Sequence, residues 1–381
     1  MKLGRSNIMR IVKKRLLLSA KLILLILTAV FCIIQTETVK EAVSSAAQRC
    51  IYVLIPSLFA MLAVTSLIMA SGITGHLPKP VSAVGKVLFG MTPHETSAFL
   101  LGMFAGYPVG TRMLLSGSSK RRAEFLSGVC FGAGPAFIFG CISGELYGSQ
   151  TAGRIILLSA IGANLLIAFV LSFFLRGSIS ESAESPPLRL TGDMLTECIA
   201  GSGKALGMIC LAVMAFSVPA ALLESTNSAA FIGRFISQAS DISSEDAEVL
   251  FSSLFDVTAL GVISHGNYRL LPWICALVSF GGVCVLFQIS AVTSGKISLT
   301  PLVLARIAAA FISFFICRLI MPLMLHEEVL AASTVNIRSF HSDSPIPSIM
   351  LIIMIVMVIS ESCRKISGGE PNVRKNYRQG P

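Results

Sequence analysis

The sequence predicts an all-α polytopic membrane protein with about eight transmembrane helices and two re-entrant helical hairpins in an inverted repeat. Three observations predict this fold. Of the 381 residues, 54% are hydrophobic and 13% are charged, and the mean hydropathy is +0.79, a balance typical of membrane proteins. Apolar segments long enough to cross about 30 Å of hydrocarbon recur along the chain. Two further apolar stretches carry helix-breaking residues in their interior, where a simple crossing would stay helical.

The apolar segments are expected to form the crossings, and the last of them is short. In chain order they are 16–34, 50–71, 123–147, 152–175, 203–223, 270–292, 302–323 and 346–360. The first segment is interpreted as a membrane anchor because its apolar run is long, with a cleaved signal peptide as the alternative. Phe31 before Cys32 does not fit a lipoprotein cleavage site.

The distribution of the net charge of +10 predicts the orientation. Basic residues are dispersed between apolar segments rather than gathered in one soluble patch, so no nucleic-acid partner is expected. Cytoplasmic loops collect Lys and Arg. If the stretches 97–117 and 248–265 return to the side they came from, the basic N-terminus, the KRR sequence at 120–122, Lys296 and the basic C-terminal tail all lie inside, and the acidic stretch 241–248 lies outside. This arrangement places both termini in the cytoplasm and fits the charges better than ten crossings.

The sequence FAGYPVGTRM at 104–113 interrupts an apolar run. Gly106 and Gly110 permit unusual backbone dihedrals, and Pro108 removes a hydrogen-bond donor. Non-helical backbone at membrane depth is tolerated only where protein or a water-filled cavity satisfies its polar groups. The break therefore predicts a cavity, and a simple kink or a surface turn is the alternative.

The order of crossing, connector, broken hairpin, crossing and crossing occurs twice along the chain. In the second occurrence FGGVCVLFQ at 280–288 corresponds to FGAGPAFIFG at 131–140. Because each hairpin returns, each unit contributes three crossings, and the second unit starts from the opposite side. Such inverted repeats are typical of secondary transporters, which bind substrate where the interrupted segments meet near the midplane.

The repeat divides the chain into five parts. These are the anchor helix and external connector at 1–49, the first repeat at 50–175, a cytoplasmic linker at 176–202, the second repeat at 203–323, and an external loop, last crossing and basic tail at 324–381.

Polar residues and glycines at the breaks are the candidate substrate contacts, because ionisable groups inside a membrane are costly and usually functional. Arg112 offers a planar fork of donors to a carboxylate, unless it belongs to the cytoplasmic surface. Asp256 is expected to bind a coupling cation, to pair with Arg112 or to cap a half-helix. Asn164 contacts either ligand or a neighbouring helix. The full candidate set is Gly106, Tyr107, Pro108, Gly110, Thr111, Arg112, Gly134, Pro135, Asn164, Asp256, Thr258 and Arg318.

Catalytic, metal and cofactor sites are not expected. The sequence contains no His pair at helical spacing, no Gly-x-Ser-x-Gly elbow and no phosphate loop, so an enzyme is disfavoured. The ten cysteines lie mostly in apolar segments without a Cys-x-x-Cys motif, which suits small core side chains. The expected partners are the lipid bilayer, a small and anionic solute, and a proton or sodium ion as the coupling ion.

The stretches AGYPVGTRM and FLSGVCFGAGPAFIFGCISG resemble the sporulation integral membrane proteins of the YlbJ type, which contain a nucleoside-recognition, or Gate, domain. The likeness spans about residues 40–325 and is specific at 106–110 and at 134–137. It implies an integral membrane transporter distantly related to concentrative nucleoside transporters, and in spore formers the import of dipicolinic acid across the outer forespore membrane. The chain departs from the family at Arg112, where a lysine is usual, and at Asp256, where a glutamate is commoner.

The resulting expectation is a secondary-type transporter of a small anionic solute. One alternative is a non-transporting sporulation scaffold that uses the Ser/Pro-rich linker and the basic tail as docking segments. Another is a nucleoside or cation transporter with the same fold.

Overall fold

The computed structural model describes residues 15, 19, 21–23, 25–75, 77–175, 191–225, 231–234, 237, 242–263 and 267–325. Helices and turns account for these residues, and no strand occurs among them. Four helices are long and apolar enough to cross a membrane, namely Gln150–Leu175, Gly192–Leu223, Tyr268–Ala291 and Thr300–Met324. A bent pair, Lys21–Ile34 and Thr36–Leu54, joined at 97°, is a fifth candidate. These helices suggest a membrane protein, and the expected crossing 346–360 lies outside the described residues.

The first half of the chain forms mostly short helices, and a π-helical segment joins the first two of them into a longer one. In order they are α1 (Thr36–Arg49), α2 (Ile55–Ala70), α3 (Lys79–Phe89), α4 (Pro93–Ala105), α5 (Tyr107–Gly117) and α6 (Lys120–Leu126). A π-helical segment, Cys50–Leu54, joins α1 to α2. The chain is therefore helical across the boundary expected between 49 and 50, and α1 continues directly into the first repeat.

The remaining elements begin after a non-helical stretch at 127–134, which we call the first break. They are α7 (Pro135–Phe137) with its π-helical continuation Ile138–Tyr147, α8 (Gln150–Leu175), α9 (Gly192–Ser225), α10 (Ser244–Ser252), the 3₁₀ segment Val257–Val262, α11 (Leu271–Phe280), α12 (Gly282–Thr293) and α13 (Thr300–Met324). Gly281, between α11 and α12, has a φ of 88° and forms the second break. Both breaks fall in the two sequences that the repeat placed opposite each other.

Helices α4 and α5 fold back on each other and form the first hairpin. His94 Nε2, at the start of α4, lies 3.0 Å from the carbonyl oxygen of Met113, near the end of α5. Gly106 makes the turn with a φ of 99°, which a residue with a Cβ rarely adopts. Gly110 has another role, because a Cβ there would lie 2.9 Å from the carbonyl oxygen of Ala98. The turn needs Gly106. Gly110 allows α5 to pack closely on α4, and a Cβ there would also clash with the carbonyl oxygen of Cys130.

The second expected hairpin, 248–265, differs from two packed α-helices. It consists of the end of α10, a turn, and the 3₁₀ segment, and residues 264–266 lie outside the described part of the chain. The Asp256 carboxylate accepts a hydrogen bond from the backbone amide of Thr258, and such local bonds compete with α-helix formation. The Val283 amide donates to the Leu254 carbonyl over 2.9 Å, which fastens this stretch to the start of α12.

Helices α8 and α13, the last helices of the two predicted repeats, run in opposite directions. Arg122 donates to the carbonyl of Leu175 at the end of α8. The neighbouring Glu124 accepts from the amide of Ser298, just before α13. The end of α8 and the start of α13 therefore lie at the same end of the molecule. At the opposite end, the Tyr147 hydroxyl donates to the carbonyl of Asn267, which precedes α11.

A buried ion pair closes the base of the first hairpin. Arg122 donates from Nε and Nη2 to the two carboxylate oxygens of Glu95, both over 2.7 Å, and also to the carbonyl of Gly90. Both side chains are almost fully buried. Burial alone would raise the pKa of the Glu95 carboxyl, but the hydrogen bonds from Arg122 and from the Thr92 amide lower it from its ordinary value. The pair thus stabilises the fold fully at pH values above the ordinary pKa of a glutamate carboxyl. This stabilisation is lost as the pH falls through the lowered pKa of Glu95.

We predict that Arg122→Ala lowers the free energy of unfolding by about 3 to 5 kcal/mol, because it leaves a buried carboxylate without its partner. The matched control is Arg121→Ala, since Arg121 is the exposed neighbour and its loss should change stability by about 0.5 kcal/mol or less. Thermal unfolding of both variants in detergent measures the difference. Equal losses would contradict the assignment of Arg122 as the basic residue that holds the hairpin base.

Candidate functional site

A small cavity lies where the first hairpin tip, the first break, Asp256 and α12 meet, and we call it the central cavity. Its volume is about 50 Å³, room for roughly four water molecules. Six of the predicted site residues line it, namely Gly106, Tyr107, Pro108, Gly134, Asp256 and Thr258. The rest of the wall is largely apolar and comes mainly from α2, α9 and α12. The interrupted segment 104–113 thus borders a cavity, as the sequence predicted. A simple kink, the alternative, would not require a cavity.

Backbone forms part of the cavity wall because two glycines meet there. Gly106 precedes α5, and Gly134 precedes α7. A Cβ on Gly134 would lie 3.3 Å from the Phe104 carbonyl oxygen and 3.5 Å from the Gly106 amide nitrogen. The tip of the first hairpin therefore packs directly against the first break, with no side chain between them.

The polar side chains of the wall are few and buried. Asp256 is 4% exposed, and its two carboxylate oxygens accept hydrogen bonds from Thr258, one from the amide over 3.1 Å and one from the hydroxyl over 2.6 Å. Gln288, on α12, donates its amide to the Cys284 sulfur over 3.4 Å. No other described residue makes a hydrogen bond to the Gln288 side chain. The wall thus offers a carboxylate, a hydroxyl and an amide oxygen to a ligand.

Asp256 lies beside Arg49 and not beside Arg112. Its Oδ2 is 4.0 Å from Nη2 of Arg49, which ends α1. Arg112 lies on the exposed face of α5 and does not line the central cavity. The pairing of Arg112 with Asp256, one of the three expected roles of Asp256, is therefore wrong, because Arg112 is exposed on α5 and the basic neighbour of Asp256 is Arg49. Asp256 does cap a helix, since it precedes the 3₁₀ segment and accepts from its first turn.

A second buried cation, Arg306 on α13, joins the two breaks. Its guanidinium donates to the carbonyl of Phe131 over 3.3 Å, to that of Ser279 over 3.1 Å, and to that of Gly128. It also donates to Oδ1 of Asn164 over 2.7 Å. The side chain is fully buried. Every one of these acceptors is neutral, so the charge is stabilised by carbonyl and amide dipoles rather than by a carboxylate.

Phe131 connects the Arg306 cluster to the cavity wall. The Arg306 guanidinium lies 4.6 Å from the centre of the Phe131 ring, close enough for a cation–π contact. The Phe131 ring also contacts the ring of Tyr107, at a centroid distance of 4.6 Å. The Tyr107 hydroxyl in turn donates to the Val278 carbonyl of α11 over 3.0 Å. The tip of the first hairpin is therefore tied to both breaks through aromatic and polar contacts.

The other predicted contacts lie outside the cavity wall. Asn164 belongs to the Arg306 cluster, where its amide donates to the Phe131 carbonyl over 2.8 Å, so it packs helices together. Thr111 is fully buried, and its hydroxyl has no hydrogen-bond partner among the described residues. Pro135 follows Gly134 in the first turn of α7. Arg318 is exposed, with its guanidinium 6.0 Å from the Phe314 ring centre.

Sequence reasoning missed Arg49 and Gln288. Gln288 carries a usable signal, since it is a lone amide in the apolar sequence VCVLFQISAV and a polar side chain there needs a partner. Arg49 carries no such signal, because it lies at the edge of an apolar segment like many solvent-facing arginines. Only the folded chain brings it beside Asp256, 207 positions later.

We predict that Arg306→Gln lowers the free energy of unfolding by about 3 kcal/mol or more, because the carbonyls at both breaks lose charged donors. Arg154→Gln is the control, since Arg154 is an exposed arginine on α8 and its loss should change stability by about 0.5 kcal/mol or less. Thermal unfolding in detergent compares them. A stable Arg306→Gln protein would mean that the breaks hold their shape without this cation.

The chain was compared with protein-family models, with curated proteins and with solved structures. No family model, no curated protein and no solved structure matches it.

Proposed function

We propose that this chain is a secondary-type membrane transporter of a small anionic solute. The single observation that carries the proposal is the central cavity, which lies where interrupted segments from both predicted repeats meet. Secondary transporters with inverted repeats bind their substrates at such a meeting point. The opposite directions of α8 and α13 support an inverted relation between the repeats. Four candidate spans support a location in the membrane.

The orientation is also a proposal, and the ends of the helices support it. The start of α6, the end of α8 and the start of α13 lie together, and all three adjoin segments whose basic residues favour the cytoplasm. We propose that this end faces the cytoplasm, together with both termini, and that the first hairpin is re-entrant. The end that carries Tyr147 and Asn267 then faces outward.

The chemistry of the cavity supports a polar, charged solute. Helix α5 begins at the cavity wall, and the positive end of a helix dipole favours negative groups. Asp256 provides a carboxylate for a coupling proton or sodium ion, so that solute and cation enter together. Dipicolinic acid, imported into the forespore, is the solute that the resemblance to the YlbJ type suggests. Because the central cavity has room for roughly four water molecules, it must widen to admit dipicolinic acid.

A transported cation is the second candidate. The observation that favours it is the Asp256 carboxylate, which is the acidic group in the described wall of the central cavity. A nucleoside or cation transporter would keep the same fold and the same site.

We predict that full-length protein in liposomes accumulates labelled dipicolinate, and that Asp256→Ala reduces uptake to background because the coupling cation loses its ligand. Asp246→Asn on α10 should keep wild-type uptake, since Asp246 does not line the cavity. Nucleosides and ferrous iron are tested in parallel. Wild-type uptake by Asp256→Ala would contradict the assigned site, and no uptake of any solute would favour a scaffold.

We predict that a cysteine at the exposed Ser119, in a cysteine-free background, reacts with an impermeant maleimide only from the cytoplasmic side. A cysteine at the exposed Gln150 should react only from outside, because α8 begins at the opposite end. Labelling of intact cells and of inverted vesicles measures both. Reaction of the Ser119 cysteine from outside would mean that the first hairpin crosses the membrane.

A further inference from the structure

A second cavity of about 60 Å³ adjoins the central cavity and shares Leu54, Phe137 and Thr258 with it. Its remaining wall includes Arg49 and Glu145. It lies toward the end of the molecule that carries Tyr147, and under the proposed orientation it leads from the central cavity outward.

Both π-helical segments form the wall of this second cavity. Val53 and Leu54 belong to the segment Cys50–Leu54, and Cys141, Ile142 and Glu145 belong to the segment Ile138–Tyr147. π-helical turns are rare and occur mostly at functional sites, because the widened turn is less stable than an α-helical one. Two of them around one small cavity therefore mark it as a candidate functional site.

Arg49 in this wall has unused hydrogen-bonding capacity. Of its five N–H groups, one donates to the Ser45 hydroxyl over 3.0 Å. Nε is buried and has no hydrogen-bond partner among the described residues. The contact with Asp256, at 4.0 Å, is longer than a hydrogen bond. Most of the planar fork is therefore available to an acceptor.

Asp256 does not depend on Arg49 for its hydrogen bonds. Thr258 already donates to both of its carboxylate oxygens. Arg49 can therefore leave the carboxylate without stranding an unpaired acceptor. The ion pair is a loose electrostatic contact, unlike the closely hydrogen-bonded pair of Arg122 and Glu95.

We propose that Arg49 is the residue that binds a carboxylate group of the solute, and that Asp256 is its resting partner. The inference rests on the proposed transport of an anionic solute and names the residue that recognises the anion. A carboxylate in the second cavity meets a planar guanidinium whose spacing matches its two oxygens. Arg49 exchanges Asp256 for the solute when the carboxylate arrives.

The charges around Arg49 predict what controls this exchange. Asp256 places a carboxylate 4.0 Å from the Arg49 guanidinium, and Glu145 lines the same cavity, so an added carboxylate meets repulsion until Asp256 is neutralised. Removing the charge of Asp256 should therefore strengthen carboxylate binding. Removing the charge of Arg49 should abolish it.

The test uses acetate, which is small enough for the second cavity, as the carboxylate probe and acetamide as its neutral control. Purified full-length protein in detergent is titrated with each compound, and the melting temperature reports binding. We expect acetate and not acetamide to stabilise the wild type. Asp256→Asn should respond at about tenfold lower acetate concentration, and Arg49→Gln should not respond. Arg49→Lys should respond weakly, because an ammonium lacks the fork.

Arg154→Gln is the matched control, since Arg154 is exposed on α8 and its variant should respond to acetate as the wild type does. The proposal is overturned if Arg49→Gln binds acetate like the wild type, if Asp256→Asn binds it less tightly, or if neither the wild type nor Asp256→Asn binds it. Liposome uptake separates the two proposals. If Arg49→Gln still takes up solute, the role of Arg49 is refuted and the transport proposal stands. If acetate binds through Arg49 but no solute is taken up, the transport proposal is refuted and the role of Arg49 in carboxylate binding stands.

Discussion

The fold depends on a buried guanidinium that has no carboxylate partner. Arg306 reaches the first break through Gly128 and Phe131 and the second through Ser279. Removing a cation from water costs several kcal/mol unless hydrogen bonds replace its hydration. The carbonyls that helix breaks leave without intrahelical donors provide this replacement. The breaks and the cation thus stabilise each other, because the carbonyls at the breaks need donors and the Arg306 guanidinium needs acceptors.

The contrast between the arginines separates a rigid part of the molecule from a loosely held one. Arg306 and Arg122 are almost completely buried and use most of their donors within hydrogen-bond distance. Arg49 is partly exposed, makes a hydrogen bond to Ser45 and lies 4.0 Å from its acidic neighbour. A buried Nε without a partner among the described residues is common to Arg49 and Arg306, so the difference lies in the number of close hydrogen bonds. Conformational change in a packed protein concentrates where contacts are few and replaceable. The second cavity, which Arg49 lines, meets that condition, and the base of the first hairpin does not.

Much of the fold and part of the site could be predicted from the sequence. The four long apolar helices follow directly from hydropathy, and the turn at Gly106 follows from the glycines and proline in an apolar run. The break at Gly281 is not predicted, since 270–292 is expected to cross as one helix. Gly106 and Asp256 could be expected near one site because the repeat set the two interrupted segments that carry them in corresponding positions. The partner of Asp256 could not be predicted, since pairing across 207 positions depends on how α1 packs.

The π-helical segments and the roles of individual arginines were equally inaccessible to sequence reasoning. A π turn has no strong residue preference and arises from packing on the neighbouring helix. Arg122 belongs to the KRR sequence at 120–122, whose charge predicts a solvent-exposed loop. In the structure Arg122 is buried against Glu95, whereas Arg121 is exposed. Charge type can be read from a sequence, but which of two adjacent arginines is buried depends on the helix rotation that tertiary contacts impose.

The glycine-built wall of the central cavity has a consequence for how such a protein diversifies. Where Gly106 faces Gly134, the wall is main chain, and substitution there changes the path of the backbone before it changes the chemistry. Polar side chains in the walls of the central and second cavities include Asp256, Thr258, Gln288 and Arg49, and none of these four belongs to the Arg306 cluster. Under the proposed function, descendants of this chain could therefore bind a different solute by exchanging those few side chains, while the backbone of the cavity stays the same.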